Sequence, residues 1–340
     1  RKNNTNSFTT VKERNYLGEY EVFDITVDND SHTYWTGGLS VSNCAEQSLA
    51  DKETCCLAEV YLPNIESKEE LWKVVKTLYK VCKHSLMLPC HLKETEEIVH
   101  HNMRMGIGVT GVMMCSEEQL SWLDDIYKKL RQFDEEYSKE VGCNTSVKLT
   151  TLKPSGTLSL LAGVLSGVHP SPAGDYFIRR IRMSASSPLV EVCRRNGYHT
   201  EYAKNFDGTN DTSTMVVEFP CSYPEGTPSG EDTDVLEQLE MVKKMQTIWS
   251  DNSVSVTAYY KKEDIPKIKS YLKENFKDNF KTLSFLLYTG HGFVQAPFEP
   301  ILKEKYLELK SKVTPIVNCD ADFSSMDELQ DCEGGACPIK

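Results

Sequence analysis

Long apolar runs are missing from this sequence, and so is any excess of basic residues. No stretch of about 18 consecutive apolar residues occurs, so no membrane-spanning helix is expected. Lys and Arg number 38 against 50 Asp and Glu, and the net charge of -12 disfavours nucleic-acid binding while leaving room for a local phosphate cradle. An apolar content of 39% and a mean hydropathy of -0.43 indicate a soluble globular chain.

Signals for export and for a structural metal are also missing. No secretory signal opens the chain, and residue 1 is Arg, so we expect a cytoplasmic protein and a piece of a longer chain. The 12 cysteines are scattered over a chain too long for a disulfide-stapled scaffold. They lack CxxC spacing, so no metal site is predicted. In a reducing cytosol, paired cysteines more often serve catalysis.

Three regions of the sequence differ in composition and residue pattern. Residues 1–43 contain short β-prone stretches, such as residues 21–27, whose side chains alternate as in a strand. Residues 44–315 mix predicted helices and strands. Residues 316–340 are acidic, contain Ser and Gly, and lack periodicity, which is typical of a mobile tail.

Helices and strands alternate through the central region. Capping signatures at Ser67 and Ser116 open two of the predicted helices. The predicted helices are residues 67–88, 116–141, 233–251 and 262–276. The predicted strands are residues 56–62, 147–152, 215–219, 253–259 and 282–287. This alternation predicts an α/β architecture, although five strands are too few to close a barrel alone.

Cys44, Glu46 and Cys55 form the central motif, in which a carboxylate lies between two thiols. Such a set suits a reaction that needs a hydrogen-atom abstractor, a general base and a reductant. A second thiol pair, Cys332 and Cys337, flanks a flexible Gly-Gly loop in the tail. That dithiol can close to a disulfide and carry electrons between a buried site and an external reductant.

Residues 153–157 read Lys-Pro-Ser-Gly-Thr, after a predicted strand and at the start of a predicted helix. Proline near a helix start, small hydroxyl residues and a glycine allow backbone N–H groups to face an anion. The segment therefore predicts an anion cradle.

In this order, the motifs resemble those of ribonucleotide reductases. The tail and residues 152–161 resemble in particular the adenosylcobalamin-dependent reductases that act on ribonucleoside triphosphates. The resemblance covers nearly all of residues 44–340. It implies an α/β fold, the C-terminal half of the ten-stranded barrel of that family, with Cys44 on a loop that enters the barrel.

The resemblance implies roles for the central motif. Cys44 would carry a thiyl radical formed with adenosylcobalamin as cofactor, and Glu46 would take the proton of the 3′-hydroxyl group of the ribose. Cys55 would be one of two reducing thiols, whose partner lies on an earlier strand outside this sequence.

The resemblance also implies partners. Cys332 and Cys337 would pass electrons from a thioredoxin-like protein to the site. Ser155, Gly156 and Thr157 would bind the phosphates of a ribonucleoside triphosphate substrate.

Another radical source stays open as an alternative. A glycyl-radical reductase would carry a C-terminal glycine in an Arg-Val-x-Gly-Tyr-like setting, which is missing. The large subunit of an iron-dependent ribonucleoside-diphosphate reductase would relay a radical through paired tyrosines. Tyr259 and Tyr260 form such a pair on a predicted strand, at a place where the cobalamin type also has tyrosines.

The N-terminal residues resemble the C-terminal end of an intein. Asn43 can attack its own backbone carbonyl, and Cys44 supplies the downstream nucleophile that splicing requires. Asp24 and His32 match the acid/base and activating positions of that family. Ser42 stands where the family usually has His, as it does in some split inteins.

Splicing would need the N-terminal half of the intein with its own extein as a partner. The alternatives are a polar β-hairpin extension that ends by chance in Asn-Cys, and an inert fragment that neither splices nor catalyses. A splicing half and a reductase are compatible, because splicing would assemble the enzyme.

Ordinary structural roles are expected elsewhere. The glycines of residues 102–111 are interpreted as sites of close helix packing, and the arginines of residues 176–182 as a solvated or interfacial face. His169 and His291 are interpreted as structural. Eight cysteines are interpreted as small buried apolar residues: Cys56, Cys82, Cys90, Cys115, Cys143, Cys193, Cys221 and Cys319.

Overall fold

A computed structural model describes residues 33–36, 39–42, 46–205, 207–288 and 294–317. Several predicted features lie outside these residues, and the structure therefore does not test them: the strand at residues 21–27, Asp24, His32, Asn43, Cys44, His291, Cys319, Cys332 and Cys337.

Parallel strands form the centre of the described chain. The strands are β1 (Thr33–Thr36), β2 (Leu39–Ser42), β3 (Leu57–Tyr61), β4 (Gly106–Thr110), β5 (Thr150–Thr151), β6 (Tyr176–Ser184), β7 (His199–Lys204), β8 (Asn210–Ser222), β9 (Thr257–Tyr260), β10 (Ser284–Leu287) and β11 (Phe298–Pro300). Strands β3, β4 and β5 are parallel neighbours in that order, and β9 pairs in parallel with β10. A parallel bridge between Leu152 and Val254 connects the two groups.

Helices connect these strands, as parallel pairing requires. The α-helices are α1 (Lys68–Leu86), α2 (Lys93–Asn102), α3 (Glu117–Val141), α4 (Leu158–Ala162), α5 (Pro188–Arg195), α6 (Val235–Ile248), α7 (Ile265–Asn279) and α8 (Lys303–Lys312). Among the described residues the parallel strands do not close into a barrel. The α/β prediction is confirmed, whereas the half-barrel stays a prediction.

Local sequence explains where the two long helices begin and end. Ser116 and Gln119 form a complete capping box at the start of α3, and Gly142, with φ of +74°, ends it. Ser67 accepts a hydrogen bond from the Glu70 amide at the start of α1. The Glu70 side chain accepts from the amide of residue 66 rather than from that of Ser67, so this box is incomplete.

Apolar side chains of α1, α3 and α6 pack on the parallel strands and form one large core. Leu71 and Leu123 are fully buried in it. The buried Trp249 indole N–H donates to the carbonyl oxygens of Ile107 and Thr151 at 3.2 Å each, and so ties β4 to β5 from one side. Packing therefore holds the strand ends, where the site lies, in fixed positions.

An antiparallel sheet has the order β11-β6-β8-β7: its strands β6, β7 and β8 are inserted between β5 and β9, and β11 joins it from beyond β10. Most of it was not predicted, because only residues 215–219 showed a strand pattern, and β8 extends well beyond them. Arg180 on β6 holds the sheet together through Glu218 on β8 and Glu299 on β11. Arg180 thus lies at an interface between strands, which is one of the two roles predicted for this arginine stretch.

The short hairpin near the N-terminus consists of β1 and β2, which pair antiparallel with Thr33 opposite Ser42. It ends immediately before Asn43. No helix in the described part of the chain is long and apolar enough to cross a membrane.

Candidate functional site

Three segments meet toward the carboxyl ends of the parallel strands. Glu59 lies on β3, Lys153 follows β5, and the Glu46 backbone is fixed beside them. The Glu46 carbonyl oxygen accepts hydrogen bonds from the Ser253 amide at 3.2 Å and from the Thr151 hydroxyl group at 3.1 Å. Residues that follow and form the parallel strands thus hold the backbone of the predicted base in place.

Glu59 and Lys153 form an ion pair inside the protein. Lys153 Nζ lies 3.4 Å from Glu59 Oε2, and the two side chains are 15% and 3% exposed. Gly108 on the neighbouring strand makes room for this carboxylate, because a Cβ atom at that position would lie 2.6 Å from Glu59 Oε2. Gly106 and Gly108 therefore serve close strand contacts and not the predicted helix packing, whereas a Cβ atom at Gly111 would lie 2.5 Å from Pro63 Cγ in a short 3-10 helix.

Burial and neighbouring charge set the protonation of both carboxyl groups. Burial raises the pKa of Glu46, and the positive charge of Lys153 lowers it in part. Burial also raises the pKa of Glu59, against the lowering effects of Ser155 and Lys153, and the negative charge of Glu46 raises it further. One ammonium group therefore faces two carboxyl groups, a setting that favours retention of a proton on one of them.

Several buried polar atoms at this site have no hydrogen-bond partner among the described residues. They are both amide atoms of Gln47, both carboxylate oxygens of Glu59 and the hydroxyl group of Ser155. Ser155 also has a φ of +50°, which is uncommon for a residue with a side chain. Unsatisfied buried polar groups are costly, and together with backbone strain they are typical of a site that binds a ligand.

The predicted phosphate cradle opens α4, as expected, with Thr157 at the N-cap position. The helix is only five residues long, so its dipole is weaker than the sequence suggested. The Ser155 carbonyl oxygen accepts from the Ser159 amide at 3.0 Å. The structure brings Ser155 next to Glu59, whereas a Cβ atom at Gly156 would meet only the Ser166 hydroxyl oxygen, at 4.0 Å.

Cys55 is exposed, and the segment before it is pinned by Glu53. The buried Glu53 carboxylate accepts hydrogen bonds from Asn102 Nδ2 and Arg104 Nε at 3.0 Å each, and from the Ala50 amide at 2.7 Å. An accessible thiol on a fixed backbone suits thiol–disulfide exchange.

The other cysteines differ in burial. Cys82 and Cys193 are buried, as predicted for small apolar residues. Five others are half-buried rather than buried: Cys56, Cys90, Cys115, Cys143 and Cys221.

The structural role predicted for His169 agrees with its contacts. Its Nδ1–H donates to the Ser166 carbonyl oxygen at 3.0 Å, and its Nε2 accepts from the Thr257 amide at 3.0 Å. Both ring nitrogens are thereby used to join the loop after α4 to β9. Tyr259 lies on β9, within the predicted strand, and its ring meets that of Tyr288 edge to face.

Sequence reasoning missed Glu53, Glu59 and Lys153 as functional candidates. Lys153 was part of a named motif, and Glu59 stands in a predicted strand where a charge is unexpected, which was the available signal. A cavity of about 420 Å³ between residues 171–175 and 226–232 is lined by none of these residues. The described part of the chain contains no group of three or more His, Cys, Asp or Glu that could hold a metal ion.

The fold and the site describe an α/β protein in which the carboxyl groups of Glu46 and Glu59 share the charge of Lys153 at a parallel sheet, with the exposed thiol of Cys55 just before β3. No family model matches the chain. It is 34% identical over 310 residues to the adenosylcobalamin-dependent ribonucleoside-triphosphate reductase of Euglena gracilis, which covers 88% of this chain and 42% of that protein. It is 32% identical over 344 residues to the reductase of the same name from Lactobacillus delbrueckii subsp. bulgaricus, and this match covers 87% of this chain and 45% of that protein.

A solved structure shares the fold. The crystal structure of a B12-dependent class II ribonucleotide reductase matches with a TM-score of 0.70 and 31% identity, over 80% of this chain and 42% of that one. The homologues of the chain are thus adenosylcobalamin-dependent ribonucleoside-triphosphate reductases, and its α/β fold matches that of the class II enzyme. The chain spans less than half the length of these relatives.

Proposed function

We propose that residues 44–315 supply the C-terminal half of the catalytic barrel of an adenosylcobalamin-dependent ribonucleoside-triphosphate reductase. Residues 316–340 form its redox tail in this proposal, and residues 1–43 are an intein fragment. The partly buried cluster of Glu46, Glu59 and Lys153, in which Glu46 follows Cys44 by two residues in the sequence, carries the proposal, because radical reduction of a ribose needs a shielded base next to a thiol.

Glu46 is suited to the role of base. A carboxyl group whose pKa is raised toward neutrality accepts a proton more readily than an ordinary exposed one. In the proposed reaction, the Cys44 thiyl radical takes the 3′ hydrogen atom of the ribose, and Glu46 takes the proton of the 3′-hydroxyl group. The 2′-hydroxyl group then takes up a proton from one of the two reducing thiols and leaves as water.

Two electrons must enter for each nucleotide reduced. Cys55 and a second thiol on the other half of the enzyme supply them and become a disulfide. The exposure of Cys55 supports this role, since the disulfide must be reached by Cys332 and Cys337 and then by a thioredoxin-like protein. These exchanges suit a reducing, cytoplasmic compartment.

The substrate follows from the relatives, whose names specify ribonucleoside triphosphates. Ser155, Gly156 and Thr157 are proposed to bind its phosphates. The strained backbone and the unpartnered hydroxyl group of Ser155 support a bound ligand there.

The relatives' names also specify the cofactor. Adenosylcobalamin brings its own corrin ligands to cobalt, so the protein needs no cluster of metal-binding side chains, and the donor set at this site suits hydrogen-atom chemistry at Cys44. When bound, the cofactor supplies the one-electron chemistry that generates the thiyl radical. Glu46 and Gln47, which directly follow the Cys44 loop, would shape the polar side of the site.

The test uses the assembled reductase, produced by expressing this chain with the N-terminal half from the same genome. Cys44→Ala should abolish deoxynucleotide formation, and Glu46→Gln should lower turnover by about 10²–10⁴-fold, as loss of a general base does. Cys221→Ser, far from the motif in sequence, is the control. Undiminished reduction by the Cys44→Ala enzyme would overturn the proposal, and cobalt-independent activity that needs iron would favour the diphosphate reductase.

We also propose that residues 1–43 act as the C-terminal half of a split intein. The antiparallel hairpin of β1 and β2, which ends one residue before Asn43, supports this role because inteins are all-β proteins. With the matching N-terminal half supplied, Asn43→Ala should block release of residues 44–340. Mass spectrometry of the products measures this, and unchanged release would count against splicing.

A further inference from the structure

Two cysteines that the proposed reaction does not use lie next to each other behind Cys55. Cys56 is the residue before β3, and Cys82 is on α1, which packs against that strand. The Cys56 thiol donates to the Cys82 carbonyl oxygen, with 3.8 Å between Sγ and that oxygen, so the Cys56 sulfur lies against the backbone that carries the Cys82 thiol. Spacing along the chain does not indicate this pair, because 26 positions separate its members.

The backbone around Cys56 is held in place. Its carbonyl oxygen accepts a hydrogen bond from the Gly106 amide at 2.8 Å, in register with the pairing of β3 and β4. Cys82 lies within the 19-residue helix α1. The contact between Cys56 and Cys82 therefore joins the start of β3 to α1.

The two thiols differ in the way that a nucleophile and a resolving thiol differ. Cys56 is half-buried, whereas Cys82 is only 4% exposed. The neighbouring Cys82 thiol lowers the pKa of Cys56, against the opposing effect of burial, while the Cys56 thiol and burial raise the pKa of Cys82. The thiolate therefore forms first at the more accessible sulfur.

We propose that Cys56 and Cys82 are a second redox-active dithiol, which a small-molecule disulfide oxidises to an intramolecular disulfide. This inference concerns the described chain alone and holds whether or not the chain is part of a reductase. If the proposed function is correct, the dithiol lies one residue from a catalytic thiol. Oxidation would then covalently fix the backbone beside Cys55.

The chemistry balances in two exchanges. The Cys56 thiolate attacks one sulfur of the small disulfide, which forms a mixed disulfide and releases one small thiol. The Cys82 thiolate then attacks the Cys56 sulfur, so the protein disulfide forms and the second small thiol leaves. Two electrons pass from the dithiol to the oxidant, and the two protons of the cysteines end on the released thiols.

The test incubates the whole chain with glutathione disulfide, quenches in acid, alkylates the remaining thiols and maps the peptides by mass spectrometry. The expected product is a peptide pair joined through Cys56 and Cys82, lighter by two hydrogen atoms and restored by dithiothreitol. A vicinal bond between Cys55 and Cys56, or glutathione held on Cys55 while both Cys56 and Cys82 are alkylated, would overturn the proposal.

Variants separate the two roles. Cys82→Ser should trap glutathione on Cys56, and Cys56→Ser should leave Cys82 unmodified, because the resolving thiol is buried. Cys115→Ser is the matched control and should leave the linkage intact, since Cys115 donates to the Gly111 carbonyl oxygen and not to a cysteine. Thermal melting shows whether each variant folds. If a variant does not fold, peptide mapping of the unaltered chain still tests the proposal.

Discussion

Single residues with buried charge determine the chemistry available at the strand ends. Among the described residues, Lys153 is the cation whose charge lowers the pKa of both Glu46 and Glu59. A buried carboxylate without its counter-charge is expensive and takes up a proton instead. The ion pair of Glu59 with Lys153 therefore controls both stability and protonation at the site.

We predict that Lys153→Met destabilises the chain by about 3 kcal/mol at pH 7, the low end for breaking a buried ion pair, because Lys153 is partly exposed. The loss should be smaller at pH 5. Glu59 has a raised pKa in the folded state, so its contribution to stability falls as the pH rises above about 4.3, the pKa of Glu in an unfolded chain. Lys153→Met removes the charge that lowers the folded-state pKa, so stability falls more steeply with pH in the variant.

Urea unfolding at pH 5, 6 and 7 measures this difference. Lys153→Arg keeps the positive charge and serves as the control. An equal loss of stability at all three pH values would show that Lys153 contributes through packing and not through its charge.

His169 is a second residue whose protonation affects stability. Burial lowers its pKa in the folded state, and Nε2 must stay unprotonated to accept from the Thr257 amide. The unfolded chain, with a His pKa near 6.5, takes up the proton first, so stability falls as pH drops below about 6.5.

His169→Gln should remove this pH dependence. The stability advantage of the unaltered chain over the variant should shrink below pH 6.5 by up to about 1.4 kcal/mol per pH unit. Thermal or urea unfolding between pH 5 and 8 measures the effect. A constant difference in stability across that pH range would mean that unfolding does not change the protonation of His169.

At the scale of elements, a buried polar network joins α1 to α3. The Lys83 ammonium group and the Asp134 carboxylate lie 3.0 Å apart, and their side chains are 0% and 2% exposed. Asp134 also accepts from the Tyr79 hydroxyl group at 2.8 Å and from the Ser146 amide at 2.8 Å. The network fixes the register of the two helices, because each buried polar group finds its hydrogen-bond partners in only one alignment of α1 and α3.

Lys83→Met should destabilise the chain by about 3–5 kcal/mol, since it leaves Asp134 buried without a counter-charge. The double variant Lys83→Met with Asp134→Leu should lose less stability than the Lys83→Met variant. Urea unfolding measures both. Lys128→Ala breaks an exposed pair with Asp124 and should change stability by less than about 1 kcal/mol. A double variant as unstable as the single one would contradict this account.

At the scale of the whole molecule, the two sheets have unequal cores. The parallel strands share one large apolar core with the long helices, whereas the antiparallel insertion rests on two small clusters. Local opening requires less free energy where fewer buried apolar contacts must break. The insertion is therefore expected to open before the rest of the described chain.

Hydrogen exchange followed by mass spectrometry tests this order. Amides of β4, in which all five residues are buried, should exchange slowest, and amides of the edge strand β7 should exchange much earlier. Peptides from α3 serve as an internal reference for the large core. Equal protection of β4 and β7 would show that both sheets unfold as one cooperative unit.

The sequence predicted α3 almost residue for residue, because its capping box and terminal glycine are local signals. The fully buried β4 was not predicted, since it is short and glycine-rich and lacks alternation. The insertion strands β6 and β7 were missed as well, because three arginines interrupt β6 and β7 has few apolar residues, so neither shows a clear apolar alternation. The predictions for Cys44, Cys332 and Cys337 lie outside the described residues and remain predictions.

The sequence by itself determined which thiols, carboxyl groups and small residues are present and in what order, and these local patterns were enough for the α/β class and for the resemblance. Only the tertiary structure decided that Glu59 faces Lys153 across the strand ends, and that Cys56 meets Cys82 behind them. The reason is that charge pairing and thiol contact depend on distance in space and on burial. Neither is written in the spacing of residues along the chain.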